Sequence, residues 1–204
     1  MKVAITGTSS GIGKALKDAL SSEHTVVCFD RPEFDLNIVE HLEKINLTNV
    51  DILINNAGHS QGGGVGLENH AFEDWSEIIS TNFKAPVYLT QKFIQQNNKG
   101  KIIFITSKAI ETAMGGDSIY TGSKAGLSTF IRCMRDELKD SLFTFSEICP
   151  GRVKTNFPKN RKIHQSDVLE NFYDKKSHIN VSEIVEIIKF IINTDIINHI
   201  TIEK

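Results

Sequence analysis

The sequence predicts an α/β fold, a doubly wound parallel sheet in a single domain, and three observations predict it. Short apolar runs rich in β-branched residues alternate with helical patterns along the chain, which builds a parallel sheet with helices on both faces. The first run empties into a glycine-rich turn that opens a helix. A length of 204 residues with 40% hydrophobic content suits one sizeable core, and residues 1–204 need no second domain.

The first strand is expected over Lys2 to Thr6, followed by Gly7-Thr8-Ser9-Ser10-Gly11-Ile12-Gly13 and a helix over Lys14 to Leu20. Glycines there let the backbone approach a pyrophosphate, while the helix start presents free N–H groups and its dipole to negative charge. The turn is Rossmann-like, although its Gly-x-x-x-Gly-x-Gly spacing differs from the Gly-x-Gly-x-x-Gly fingerprint. A second strand, Thr25 to Phe29, ends at Asp30-Arg31. Arg31 to Asp35 is too short for a helical crossover. Asn37 to Leu47 then supplies the single helix before the next strand, and Glu33 to Leu36 is expected as a short third strand.

The strand Asp51 to Asn55 runs into Asn56-Ala57-Gly58, and the glycine stretch from Gln61 to Gly66 reads as a loop. A helical pattern from Ala71 toward Gln96 carries Asn82. The strand Lys101 to Thr106 ends at Ser107, and a second long helical pattern runs from Ser118 toward Asp140. Thr144 to Cys149 leads into Pro150-Gly151-Arg152-Val153-Lys154-Thr155, and His199 to Ile202 is the last strand.

Within the Ser118 helix, Tyr120 and Lys124 stand one turn apart on one face. A free phenol with a pKa of about 10 is roughly three units too basic to ionise at neutral pH. A neighbouring ammonium favours the phenolate, so the tyrosine can serve as a general acid or base near pH 7.

The glycine turn, Asn55-Asn56-Ala57-Gly58, the interior Asn82, Ser107 with Tyr120-x-x-x-Lys124, and Pro150-Gly-x-Val-x-Thr155 occur in this order. Together they make the chain resemble the short-chain dehydrogenase/reductase family along nearly its whole length. The stretch between Asp30 and Asp51 departs from that family by lacking a crossover helix after the second strand. The resemblance implies an oxidoreductase that moves a hydride between NAD(P) and a carbonyl/alcohol pair. It makes Ser107 a hydrogen-bond partner of the substrate oxygen, Tyr120 the acid/base, Lys124 a ribose ligand and modulator of Tyr120, and Asn82 part of a proton relay.

The same resemblance assigns cofactor contacts to Gly7, Ser9, Ser10, Gly11, Ile12 and Gly13, to Asn56, Ala57 and Gly58, and to Pro150, Gly151, Val153 and Thr155. Asp30 takes the position that accepts hydrogen bonds from the adenosine ribose. Its carboxylate would repel a 2′-phosphate and favour NAD. Arg31 could pair with that phosphate, which leaves NADP as the alternative. Asp35 and Leu36 are expected to flank the adenine.

Lys and Arg number 23 against 25 acidic residues, a net of −2, so no global field points to nucleic acid or membrane. No stretch has the length of a membrane span, and the N-terminus enters a strand directly, which reads as a soluble, cytoplasmic protein. Cys28, Cys133 and Cys149 are scattered without metal spacing, fit a reducing compartment and are expected as core thiols; no metal is called for. The resemblance implies that the basic segment from Arg152 to His178 covers the substrate, which favours a polar or anionic small molecule, and His59 is a candidate contact. The two long helices carry more apolar residues than one sheet face would bury, and the resemblance implies that they pair across a two-fold axis in a homodimer or homotetramer. Two other readings stay open: a sugar-nucleotide epimerase or dehydratase, and a dinucleotide-binding scaffold or redox sensor.

Overall fold

Among the described residues, six strands pair in parallel in the order β2-β1-β3-β4-β5-β6. They are β1 (Lys2–Thr6), β2 (Thr25–Phe29), β3 (Ile52–Asn55), β4 (Gly100–Ile105), β5 (Phe143–Pro150) and β6 (His199–Ile202). This is a computed structural model, and it describes residues 1–60, 66–113, 115–155 and 178–204. The α/β class and all six longer strands agree with the sequence reading. From β1 the chain goes out to β2 and returns on the other side of β1 as β3. The direction of winding therefore changes beside β1, and open α/β sheets bind ligands at the carboxyl ends of the strands at such a point.

Each face of the sheet has its own core. Val3, Ile5, Ile54, Ile103 and Ile148 pack with Leu16 and Leu20 of α1 (Gly11–Leu20) on one side. On the opposite side Ala4, Leu53, Ile102 and Phe104 meet Leu42 of α2 (Val39–Lys44). Leu89 and Phe93 of the helix Ala85–Gln96 and Leu127 and Ile131 of the helix Ser118–Glu137 complete that side. Strands covered on both faces are mostly apolar, which is why β1, β3 and most of β4 read as continuous and not alternating.

The long pattern from Ala71 resolves into α3 (Phe72–Ile79), a π turn over Ser80–Lys84, and α4 (Ala85–Gln96). The short α5 (Ala109–Thr112) follows β4, and α6 (Ser118–Glu137) carries the Tyr-x-x-x-Lys pair. A last helix, α7 (Val181–Ile192), shares the face of α1. The buried Lys101 donates to the carbonyls of Ile191 at 2.6 Å and Ile192 at 3.3 Å. It thereby satisfies carbonyls at the helix end that lack an intrahelical partner and complements the dipole.

Three expectations are corrected. Glu33 to Leu36 is not a strand: Phe34 N–H donates to the Asp30 carbonyl at 2.9 Å and Asp35 N–H to His41 Nδ1 at 3.0 Å. Those bonds turn the backbone and remove it from any ladder, so β2 is the edge of the sheet. The helix expected over Asn37 to Leu47 contracts to α2. Beyond its end, Leu47 N–H donates to Gln96 Oε1 at 2.7 Å, which draws the chain onto the end of α4. Of the cysteines, only Cys149 is a fully buried thiol, while Cys133 is exposed on α6. No helix among the described residues is long and apolar enough to cross a membrane.

Candidate active site

The glycine turn is built around two close approaches. A methyl group on Gly13 would lie 2.0 Å from the Gly7 carbonyl oxygen and 2.4 Å from Asn56 Nδ2, so the start of α1 lies directly against the turn. Gly7 itself has φ +73°, a conformation that glycine adopts without strain. Asn56 clasps the turn by donating from Nδ2 to the carbonyls of Thr6 and Gly7, both at 2.9 Å. Thr6 Oγ1 answers by accepting from the N–H groups of Asn56 at 3.1 Å and Ala57 at 3.0 Å. Ser9 and Ser10 are exposed, Ile12 is half-buried, and the first turn of α1 has no acidic residue. A helix start with open N–H groups and no carboxylate suits an anion.

Asp30 ends β2 and is bonded back to this turn: its two oxygens accept from the backbone N–H and the hydroxyl of Thr8. Arg31 is largely exposed, 3.8 Å from Glu77. Asp35 Oδ1 accepts from the Asn37 N–H and side-chain amide, both at 3.0 Å, and Asn37 Oδ1 accepts from Thr81 at 2.8 Å. Leu36 is buried in the core beneath this segment. The side chains of Asp35 and Leu36 are thus engaged with the α3–α4 side of the sheet.

Asn82 is fully buried in the π turn. Its Oδ1 accepts from His59 N–H at 3.0 Å, while Nδ2 donates to the His59 carbonyl at 2.9 Å and to Ser123 Oγ at 3.0 Å. Ser123 donates to the Tyr120 carbonyl at 2.6 Å, which links the π turn to α6. A methyl group on Gly58 would lie 3.2 Å from both Asn82 Oδ1 and Lys124 Nζ. These two side chains therefore converge where the chain leaves β3.

Lys124 is 4% exposed and donates from Nζ to the Ile105 carbonyl at 2.8 Å. Burial lowers its pKa from 10.5 to about 8, partly opposed by the nearby Cys149 thiol. An ammonium with that pKa is still charged in roughly nine molecules in ten at neutral pH. Ser107 follows β4 two residues after Ile105, and its Oγ accepts from Ala109 N–H at 3.1 Å. Tyr120 lies in the first turn of α6 and lines a small surface depression with Ser60, His70, Ile78, Asp117 and Ile119. Ser60 Oγ donates to Asp117 Oδ1 at 3.3 Å across that depression.

Pro150 closes β5, and its carbonyl accepts from Lys108 N–H at 3.0 Å. Gly151 N–H donates to the Ile202 carbonyl at 2.7 Å, and Val153 bridges to Ile179. Thr155 arrives beside the glycine turn, 3.6 Å from the position a methyl on Gly11 would take. Most of the loop over Gln61 to Gly66 and of the basic segment from Arg152 to His178 lies outside the described residues. Sequence reasoning missed Thr6, Thr8, Ser123 and the π turn. Ser123 lies within the Tyr120-x-x-x-Lys124 span, whereas a π turn has no residue signature.

A sequence model described as short chain dehydrogenase matches residues 37–166. The chain belongs to the short chain dehydrogenase family. Short chain dehydrogenases are oxidoreductases, and the site assembled above lies within one. The 3-oxoacyl-acyl-carrier-protein reductase of Buchnera aphidicola subsp. Baizongia pistaciae is 28% identical across 97% of this chain and 91% of its own. The NADP-dependent 3-hydroxy acid dehydrogenase of Schizosaccharomyces pombe is 28% identical across 75% of this chain and 60% of its own. Among solved structures, a serine dehydrogenase complexed with NADP+ shares the fold at a TM-score of 0.83 and 23% identity, over 99% of this chain and 94% of that one.

Proposed function

We propose that the protein is an NAD(P)-dependent oxidoreductase that interconverts a carbonyl and an alcohol, with Tyr120 as the general acid/base. The observation that carries this reading is Lys124, a buried ammonium 2.8 Å from the Ile105 carbonyl, one helical turn from Tyr120 and beside the strand end that bears Ser107. The glycine turn fits a dinucleotide: Gly13 and Gly7 bring the backbone into close approach, and the first turn of α1 carries no carboxylate. Gly7, Ser9, Ser10, Gly11, Ile12, Gly13 and Thr155 would hold its phosphates and nicotinamide half. Asp30 would meet the adenosine ribose, with NAD preferred over NADP. When bound, the cofactor supplies or accepts the hydride.

The chain's own groups manage one proton. In reduction, the Ser107 hydroxyl and the Tyr120 phenol donate to the carbonyl oxygen as negative charge develops there, and Tyr120 then gives up its proton. The Lys124 ammonium lowers the cost of the resulting phenolate, since an opposite charge nearby favours the ionised form. Asn82 holds the His59 backbone and so keeps Gly58 against Lys124.

The substrate is inferred to be a 3-oxo or 3-hydroxy acyl compound, supported by the names of the two sequence relatives and by the basic residues Arg152 and Lys154 beyond β5. A homodimer or homotetramer is inferred from Phe72, 62% exposed on α3 and stacked edge-on to Trp75. A reducing cytoplasmic setting is inferred from the free cysteines. Steady-state assays with NADH and NADPH against a panel of 3-oxo and 3-hydroxy acids and thioesters test the function. Cofactor binding without turnover across the panel would favour a binding scaffold. Sedimentation at micromolar concentration tests the assembly.

A further inference from the structure

Glu147 is a carboxylate in the middle of the sheet, 1% exposed, and the reaction outlined above does not use it. Burying an ionised carboxylate is costly unless its oxygens are hydrogen-bonded. Here both are engaged. Oε1 accepts from Thr106 Oγ1 at 2.9 Å, and Oε2 lies 3.1 Å from Nδ1 of His199. His199 begins β6 with its side chain 46% exposed, and its Nε2 is 3.1 Å from Thr201 Oγ1. Arg135 of α6 and Cys149 of β5 are also within electrostatic reach of the carboxylate. An apolar side chain would serve the packing of this strand equally well, so the carboxylate calls for another explanation.

Thr106 supplies it. The residue before it, Ile105, gives its carbonyl to Lys124 Nζ, and the residue after it is Ser107. The main chain of Thr106 is held by β5 through its N–H, which donates to the Ile148 carbonyl at 2.9 Å. Its hydroxyl reaches the carboxylate of Glu147, the residue preceding Ile148, at 2.9 Å and, less closely, the Ile148 carbonyl at 3.2 Å. Two groups of the proposed reaction therefore hang from one residue whose hydroxyl is oriented by a buried carboxylate.

We propose that Glu147, itself held by His199 from β6, is a positioning residue that sets the end of β4 and, through Thr106, the placement of Lys124 and Ser107. This rests on the oxidoreductase reading for its effect on rate, but the geometric part stands independently. Removing the carboxylate takes away the nearer acceptor of the Thr106 hydroxyl, leaving it the Ile148 carbonyl, and loosens the strand end. Small displacements of catalytic groups are expensive in rate, so turnover should respond more than substrate affinity.

The test uses the full chain with Glu147→Leu, Glu147→Gln and Thr106→Val, measured well below the melting temperature of each. Amide hydrogen exchange at Thr106 and Ser107 reads the strand end without any substrate. Glu147→Leu should speed that exchange about tenfold and lower kcat by about tenfold, with the substrate KM nearly unchanged. Glu147→Gln should restore both, because its amide oxygen still accepts from Thr106. Should Glu147→Leu fail to fold, Thr106→Val removes the same hydrogen bond and carries the same expectation. Wild-type exchange and kcat in Glu147→Leu or Thr106→Val, or a Glu147→Gln protein as impaired as Glu147→Leu, would overturn the proposal. A wild type that turns over no carbonyl would refute the proposed function, and the exchange measurements would still decide the role of Glu147.

Discussion

Asn82 brackets the backbone of His59, accepting from its N–H at 3.0 Å and donating to its carbonyl at 2.9 Å. One side chain thus ties the π turn of the α3–α4 helix to the loop after β3, where a methyl on Gly58 would lie 3.2 Å from Lys124 Nζ. Asn82→Ala would remove the hydrogen bonds to two half-buried backbone groups of His59, at a cost of about 1 kcal/mol each before relaxation. Chemical denaturation should report that loss, and turnover should fall with it. A variant of wild-type stability would show that the bracket is dispensable.

Tyr120→Phe keeps the ring and removes only the phenolic proton. The fold and NADH affinity should survive while kcat falls by about 10² to 10⁴, the usual range for general acid–base catalysis. Steady-state kinetics together with cofactor titration separate the two effects. Near-normal kcat would make the assignment of Tyr120 as acid/base untenable.

Lys124 carries a stability prediction with a definite sign. Its pKa is 10.5 when exposed and about 8 in the fold, so between those values the unfolded chain binds more protons. Stability from this group therefore rises with pH across that window and is lowest below it. Lys124→Met removes the buried ammonium and should be more stable than wild type at neutral pH by up to about 3 kcal/mol, less the lost bond to Ile105. The gap should close as pH approaches about 10, while activity is lost throughout. Urea titrations at neutral and alkaline pH check this; a gap that does not narrow would contradict the burial account.

Asp30 and Thr8 set the expectation for cofactor choice. The Asp30 carboxylate is fixed against the glycine turn by the Thr8 hydroxyl and N–H, so its charge cannot swing away from a 2′-phosphate. NADH should bind more tightly than NADPH, Asp30→Ala should narrow the difference, and Arg31→Ala should weaken NADPH more than NADH. Fluorescence titration measures all three. Tenfold tighter NADPH binding by the wild type, about 1.4 kcal/mol in the opposite sense, would reverse the assignment.

Sequence by itself determined the order of the six strands and the main helices, because apolar periodicity is a local property of the chain. It also identified Tyr120 with Lys124, since a helix fixes what stands one turn apart, and the glycine turn, since close backbone approach restricts the residue type. Tertiary structure alone decided the rest. The strand expected over Glu33 to Leu36 did not form: hydrogen bonds to Asp30 and His41 turned the segment, and Leu36 went into the core. Asn82 could be read as a helix residue, but not as the bracket on His59, 23 positions away. Glu147 looked like one polar residue in a strand until His199, 52 positions on, and Thr106 closed around it. A buried polar group is satisfied by whichever partner the packed sheet brings within about 3 Å, and that choice is made by strand order and register, not by neighbours in the chain.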